Sequence, residues 1–324
     1  MPKRRSKAIF TLLGTTSFGR LIIMRFSISI PKPNFFRFNE SLWFLDRGYD
    51  DCMHVVDGGR IHKAIPGLQA PIPFELSESG DCLSLAVETE LAEDVSTVRQ
   101  YVTRWLELDR DMEPFYALQN ELLNQLQQRF FGLRMITIPD PFEALCWSII
   151  GQQINLPFAY RLKRRFVEQY GTLVTYEHQT LYLFPSPTVV ANLTIEKLQA
   201  LQFSRQKADY IISLARRIEK DNWNPSQVSA GGDTQEMSAL LQELRGVGEW
   251  TANYVLMKSY DRMDSVPYGD AGLINGIKQL LHLSEKPSRA RVEEVLKGTS
   301  GWEAYFVFYI WRSLAEPPLA VATP

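Results

Sequence analysis

Apolar and polar positions alternate along the first third of the chain and then recur at helical spacing. From Arg25 the run R-F-S-I-S-I alternates strictly, which predicts a half-buried strand. Two later stretches, M-H-V-V-D-G-G-R-I-H-K-A-I from Met53 and F-E-L-S-E-S-G-D-C-L-S-L-A-V from Phe74, alternate on either side of Asp-Gly-Gly and Ser-Gly-Asp. Each reads as a β-hairpin. Asn39 is placed to cap a helix through Ser41–Leu45. Asp94 or Ser96 opens a helix with Val98, Tyr101, Val102, Trp105 and Leu106 on one face. These elements predict a small antiparallel α+β domain over residues 24–115.

Residues 116–315 read as helices throughout. One runs from D-P-F-E-A-L-C-W-S-I-I-G-Q-Q-I-N at Asp140 to about Tyr170, followed by L-T-I-E-K-L-Q-A-L and S-R-Q-K-A-D-Y-I-I-S-L-A-R-R-I. The last is G-W-E-A-Y-F-V-F-Y-I-W-R-S, and the tail at 316–324 is expected to be disordered. At the other end, Lys3, Arg4 and Arg5 precede A-I-F-T-L-L like the front of a signal peptide, but Gly14, two threonines and Arg20 interrupt the run. Residues 1–23 are therefore read as a disordered or mis-started extension. The fold class is α+β.

A chain of 324 residues has room for two or three domains. A net charge of −2 is not the basic balance of a nonspecific DNA coater, although it permits DNA binding through local surface and backbone N–H groups. Cys52, Cys82 and Cys146 show neither metal-ligand spacing nor an even disulfide set. No apolar run has the length of a membrane span.

The chemistry concentrates between Leu244 and Asp270. The sequence L-R-G-V-G-E-W-T-A-N-Y places Gly246, Val247 and Gly248 in a tight turn at the start of a helix, where free backbone N–H groups suit a phosphate. Trp250 and Tyr254 follow at i, i+4 on one helix face. Asp270 comes 20 residues after Trp250, past Pro267 and Gly269, at the start of another helix. A phosphate clamp, a stacking face and a carboxylate suit an enzyme that extrudes a base and cuts its bond to the sugar. Taken alone, Asp270 is a helix N-cap and the aromatics are core. None of His54, His62, His178 and His282 lies in these motifs.

This stretch resembles the signature of the helix-hairpin-helix DNA glycosylases, and among them it is most similar to the DNA-3-methyladenine glycosylase II group. The resemblance covers roughly residues 24–314. It implies a TATA-binding-protein-like N-terminal domain followed by a two-lobed, all-helical glycosylase region with the cleft between the lobes. It assigns catalysis to Asp270 and the base pocket to Trp250, Tyr254 and Trp311. The turn at Gly246, Val247 and Gly248 becomes the DNA clamp. Gln153, with Ile154 as the alternative, matches the wedge that fills the gap left by a flipped nucleotide.

Where relatives that also cut the backbone carry lysine, this chain has Trp250, which implies hydrolysis without a lyase step. The nearest lysine, Lys258, does not match that motif. No cofactor is expected to be required. A structural sodium or potassium ion on the main-chain carbonyls of Leu244 and Val247 is implied by the family, and no cysteine after Cys146 is left to hold an iron–sulfur cluster. The expected partner is double-stranded DNA bearing alkylated bases. The protein is expected to act as a monomer in the cytoplasm, on the nucleoid if bacterial, and not at a membrane. Two other functions are weighed: a DNA-binding module without catalysis, and a glycosylase/lyase for oxidised bases.

Overall fold

The computed structural model describes residues 9–12, 24–220, 223–229 and 232–315. Strands β1 (Ile9–Leu12), β2 (Met24–Pro31), β3 (His54–Asp57), β4 (Arg60–Ile65), β5 (Ile72–Ser79) and β6 (Cys82–Thr89) form one antiparallel sheet in the order β1-β2-β6-β5-β4-β3. Both predicted hairpins are present, paired Asp57 with Arg60 and Ser79 with Cys82 at their turns. Helix α1 (Phe38–Leu45) begins at Phe38, so Asn39 lies inside it rather than capping it. Helix α2 (Ala92–Trp105) buries Val98, Val102 and Trp105 with Phe74, Leu76 and Leu85 of the sheet.

The reading of residues 1–23 as disordered is corrected for Ile9–Leu12, whose backbone pairs with Met24–Ser27 and covers the open edge of β2. The other residues of that extension, and the tail at 316–324, lie outside the described residues.

Two further cores follow. One is built from residues 142–256 and contains α5 (Pro141–Gly151), α6 (Leu156–Tyr170), α7 (Pro187–Ala191), α8 (Ile195–Ala200), α9 (Arg205–Lys220), α10 (Ser226–Ser229) and α11 (Thr234–Gln242). The other joins α3 (Glu113–Tyr116) and α4 (Glu121–Arg129) to α13 (Ala271–Leu280), α14 (Arg289–Val295) and α15 (Glu303–Ser313). Helix α12 (Glu249–Ser259) belongs to both, with Ala252, Val255 and Leu256 in the first core and Met257 in the second. The sheet domain is fastened to the second lobe by Arg134. This guanidinium is 1% exposed and donates to the carbonyls of Asn34, Phe35, Glu107 and Arg110.

Two helical expectations are corrected. The helical region is not all-helical: β7 (Thr172–Tyr176) and β8 (Gln179–Leu183) form a hairpin. Its alternating Val174, Tyr176, Leu181 and Leu183 are buried together with Ala64 of β4, so the hairpin packs on the sheet. The long helix from Asp140 to Tyr170 is two helices. Asn155 accepts from Phe158 N–H and caps α6, with Pro157 in its first turn, so the chain must leave the helix between Gly151 and Asn155. Among the described residues, no helix is long and apolar enough to cross a membrane.

Candidate active site

The three cores meet around one cavity of about 1190 Å³, large against the few hundred cubic ångströms that hold a drug-sized ligand. Asp270, Trp250, Tyr254 and Trp311 all line it, and so do Gln153 and Ile154. Asp270 is the N-cap of α13, as its position after Pro267 and Gly269 predicts, and its Oδ1 accepts from Leu273 N–H at 2.7 Å.

The same carboxylate has two further donors that sequence alone did not reveal. Trp311 Nε1 donates to Oδ1 at 2.8 Å and Trp250 Nε1 to Oδ2 at 3.2 Å. The two indole N–H groups therefore fix the carboxylate between them. Trp250 and Tyr254 stack with centroids 5.8 Å apart, and Tyr254 lies 6.1 Å from Trp311, so the three rings form a continuous wall. Gly272 makes room for this arrangement, because a Cβ there would sit 3.0 Å from both Asp270 Oδ1 and Trp311 Cδ1.

A second aromatic wall went unread. Trp147 on α5 donates its Nε1–H to the Tyr254 hydroxyl at 2.9 Å and packs 4.7 Å from Tyr160 of α6, which stacks on Tyr49 at 4.8 Å. Arg47 lies over Phe44 at 3.7 Å and donates to the Tyr160 hydroxyl. Burial, with Tyr160 nearby, raises the Tyr254 phenol far above its usual range, so it stays a neutral hydroxyl. The loop between α1 and β3 and the wall of α6 offered no motif to mark these residues. Trp147 could have been suspected from its i, i+4 spacing to Gly151, where the helix ends.

Lys258 continues the Trp250–Tyr254 stripe by another turn and also lines the cavity. It is 3% exposed, and its ammonium donates to the Ile136 carbonyl. Burial, reinforced by Arg47 and opposed by Glu107, lowers its pKa to about 7. Lys163, which also lines the cavity, is buried between Asp51 at 3.2 Å and Glu143 at 3.3 Å. Burial lowers its pKa, but the two carboxylates outweigh that and raise it overall.

The turn at Gly246–Gly248 stands beside the cavity rather than in its wall. Gly246 has φ +88°, and a Cβ there would lie 2.2 Å from the Tyr210 ring, so glycine is required. Gly248 is different, and the expectation that both glycines are forced by a tight turn is corrected for it. Its φ of −100° suits any residue and a Cβ would meet nothing within 4 Å. Its bareness keeps the start of α12 open. Val247 is buried in the first core, so only its backbone is available there.

Gln152 ties this turn to the loop between α5 and α6, donating from Nε2 to Gly246 O at 2.9 Å and to Thr251 Oγ1 at 3.0 Å. In that loop Gln153 is exposed with φ +56°, while Ile154 packs back against the first core.

The model of the HhH-GPD superfamily base excision DNA repair proteins matches residues 146–300, which span the turn, Trp250, Tyr254 and Asp270 but stop short of Trp311. The chain is 34% identical to a DNA-3-methyladenine glycosylase of Bacillus subtilis over 297 residues, covering 89% of this chain and 97% of that one. It is 27% identical to DNA-3-methyladenine glycosylase 2 of Escherichia coli, over 64% of this chain and 70% of that one. Among solved structures, a 3-methyladenine DNA glycosylase from Archaeoglobus fulgidus superposes with a TM-score of 0.77 at 21% identity, covering 88% of this chain and 97% of that one. That match extends the likeness in fold to the sheet domain as well as the helices. The chain belongs to the HhH-GPD superfamily of base excision DNA repair proteins, in the group of the DNA-3-methyladenine glycosylases.

Proposed function

We propose that this protein hydrolyses the N-glycosidic bond of alkylated purines in duplex DNA, 3-methyladenine foremost, with water as the nucleophile. The observation that carries the reading is the Asp270 carboxylate, held by two indole N–H groups and one backbone N–H in the wall of a cavity that admits a purine. Breaking the bond builds positive charge on the sugar, and a fixed anion stabilises that charge where it develops, most strongly once bound DNA excludes water. The same carboxylate can orient or deprotonate the attacking water.

The aromatic wall supports the substrate class. An alkylated purine is cationic, and a desolvated cation over an indole or phenol face gains ~0.5–2 kcal/mol. As a good leaving group it also needs little help from a general acid. The N–H groups of Gly248, Glu249 and Trp250 make no hydrogen bond among the described residues and stand at the start of α12, a suitable seat for a DNA phosphate. Arg289 pairs with Glu249 at 3.0 Å and offsets the one acidic side chain there. Gln153, exposed at the tip of its loop, is the proposed wedge, with Ile154 behind it.

The Val247 carbonyl accepts no hydrogen bond among the described residues, and the Leu244 carbonyl accepts one, from Val247 N–H. Together they suit a structural sodium or potassium ion, which would brace the turn.

Absence of a lyase step is supported by Trp250, whose Nε1 serves Asp270, and by Lys258, whose amine is buried on the Ile136 carbonyl. Incubation with methylated duplex DNA, with chromatography of the freed bases, tests the reading: 3-methyladenine is expected, and no base release refutes it. Borohydride is expected to trap no protein–DNA adduct, and a trapped adduct would establish an amine nucleophile.

A further inference from the structure

The face of the sheet turned away from the cavity holds a group of side chains that base release does not use. His62 of β4 and Glu75 of β5 are cross-strand partners, so their side chains stand side by side on one face. Glu177, in the turn between β7 and β8, closes over them. One ring nitrogen of His62 and one oxygen of each carboxylate lie within 4.8 Å of one another. None of the three lines the cavity, whereas Lys63, next to His62 but on the opposite face of β4, does.

Two features mark the place as incomplete. His62 is 4% exposed, and among the described residues neither of its ring nitrogens makes a hydrogen bond, Nδ1 being fully buried. The hydroxyl of Tyr176, the neighbour of Glu177, is also buried without a partner, with its ring 6.1 Å from that of His62. Buried polar atoms are nearly always paired, so two orphans at one point call for a ligand.

The charges agree. Glu75, Glu88 and Glu177 face Arg25 and Arg60, which leaves one negative charge beside an imidazole with nothing to bind. Arg60 pairs with Glu75 at 3.2 Å, but its side chain is 57% exposed. The Glu75 side chain is only 9% exposed, and Glu177 is held by Arg25 at 2.7 Å, so a divalent ion binds here by displacing both guanidiniums.

We propose that His62, Glu75 and Glu177 bind a divalent transition-metal ion, Zn²⁺ being the best match, and that this ion fastens the sheet to the β7–β8 hairpin of the helical region. One imidazole and two carboxylates form a zinc donor set, with the fourth position open to water. Zinc–ligand bonds of about 2.0–2.2 Å require the donors to draw closer than 4.8 Å. The exposed turn carrying Glu177 supplies that movement.

The test titrates the full chain with Zn²⁺, and separately with Co²⁺, by calorimetry and visible absorption. One equivalent is expected to bind, with Co²⁺ bands that lack thiolate charge transfer, and the thermal midpoint is expected to climb with metal concentration. His62→Phe and Glu177→Gln are each expected to weaken binding by at least ~10–100-fold. Glu177→Gln, at an exposed turn, reports even if His62→Phe fails to fold. Absence of saturable binding, a thiolate band from cysteine ligation, or unchanged affinity in Glu177→Gln overturns the proposal. Base release, measured well below the midpoint, is expected to be the same with and without metal, so this result stands apart from the proposed activity.

Discussion

Asp270→Asn separates the two tasks of one side chain. As the cap of α13, Asp270 accepts from Leu273 N–H at 2.7 Å, and asparagine caps about as well as aspartate, so the helix start is kept. In the cavity the charge is lost. A unit charge about 4 Å from a developing sugar cation is worth about 4 kcal/mol at an effective dielectric constant of about 20. That corresponds to about three decades in rate.

The amide adds a second cost. Trp311 and Trp250 donate to different oxygens, at 2.8 and 3.2 Å, and an amide has one oxygen to offer. One indole N–H is left facing an NH₂ group, a loss of about 1–3 kcal/mol that falls on the geometry of the site. Single-turnover release of 3-methyladenine is therefore expected to fall by about 10³-fold or more. The thermal midpoint is expected to move by only about 2–4 °C, and affinity for abasic duplex DNA is expected to survive. Release within about tenfold of the parent protein refutes the assignment of Asp270 as the stabilising charge. A collapsed midpoint refutes the argument that cap and charge can be separated.

Gly246→Ala and Gly248→Ala are expected to diverge. The first drives a Cβ to 2.2 Å from the Tyr210 ring at φ +88° and is expected to lower stability by ~1–3 kcal/mol in denaturant melts. The second fits without strain and is expected to leave the melt unchanged while weakening DNA binding; equal melts for both would refute the geometry. Lys258, with its folded pKa lowered to about 7, binds fewer protons folded than unfolded between about pH 7 and 10.5, so stability is expected to rise with pH across that window. Lys258→Met is expected to flatten this part of the stability–pH curve, and an unchanged slope refutes the burial argument. Lys163→Ala strands Asp51 and Glu143 in the interior and is expected to cost ~3–5 kcal/mol, read as a lower midpoint.

Where side-chain period and turn chemistry agreed, the fold could be read from the sequence. The two hairpins of the sheet and the capped start of α13 are such places, since an Asp-Gly-Gly turn or an Asp after Pro and Gly permits few alternatives. The β7–β8 hairpin was equally written in the alternation of T-L-V-T-Y and Q-T-L-Y-L, but it sits inside a helical region and was absorbed into it. Its buried face is completed by Ala64, more than a hundred positions away in sequence, and local pattern cannot announce such a partner. The break between α5 and α6 shows the same limit: apolar spacing runs through it, and only the Asn155 cap with Pro157 reveals it. Asp270, Trp250, Tyr254 and Trp311, all singled out from the sequence, do come together in one cavity wall. Their mutual hydrogen bonds were not legible, because the indole N–H of Trp311 reaches Asp270 only through the packing of α15 on α13. That packing depends on Gly276, where a Cβ would stand 2.3 Å from Ile310.

On the proposed function, helix α12 would link the DNA grip to the chemistry. Its first residue follows the open turn at Gly248, its Trp250–Tyr254–Lys258 stripe lines the cavity, and its remaining faces are locked into both helical cores. At 1.5 Å per residue, the 11-residue helix is a rigid rod of about 16 Å. A phosphate seated at its start would therefore be held at a fixed distance from the ring wall, and Trp250 would carry that reference directly to Asp270 through its indole N–H. Gln152 transmits the same position to the Gln153 loop through Gly246 O. Binding energy gathered on the DNA backbone can thus be used to place the sugar against the carboxylate, the kind of orientation worth several kcal/mol of a reaction barrier. On this view, loosening the rod should reduce the rate of base release more than it reduces DNA affinity, because the phosphate seat is local to the helix start while the chemistry depends on the length of the helix behind it.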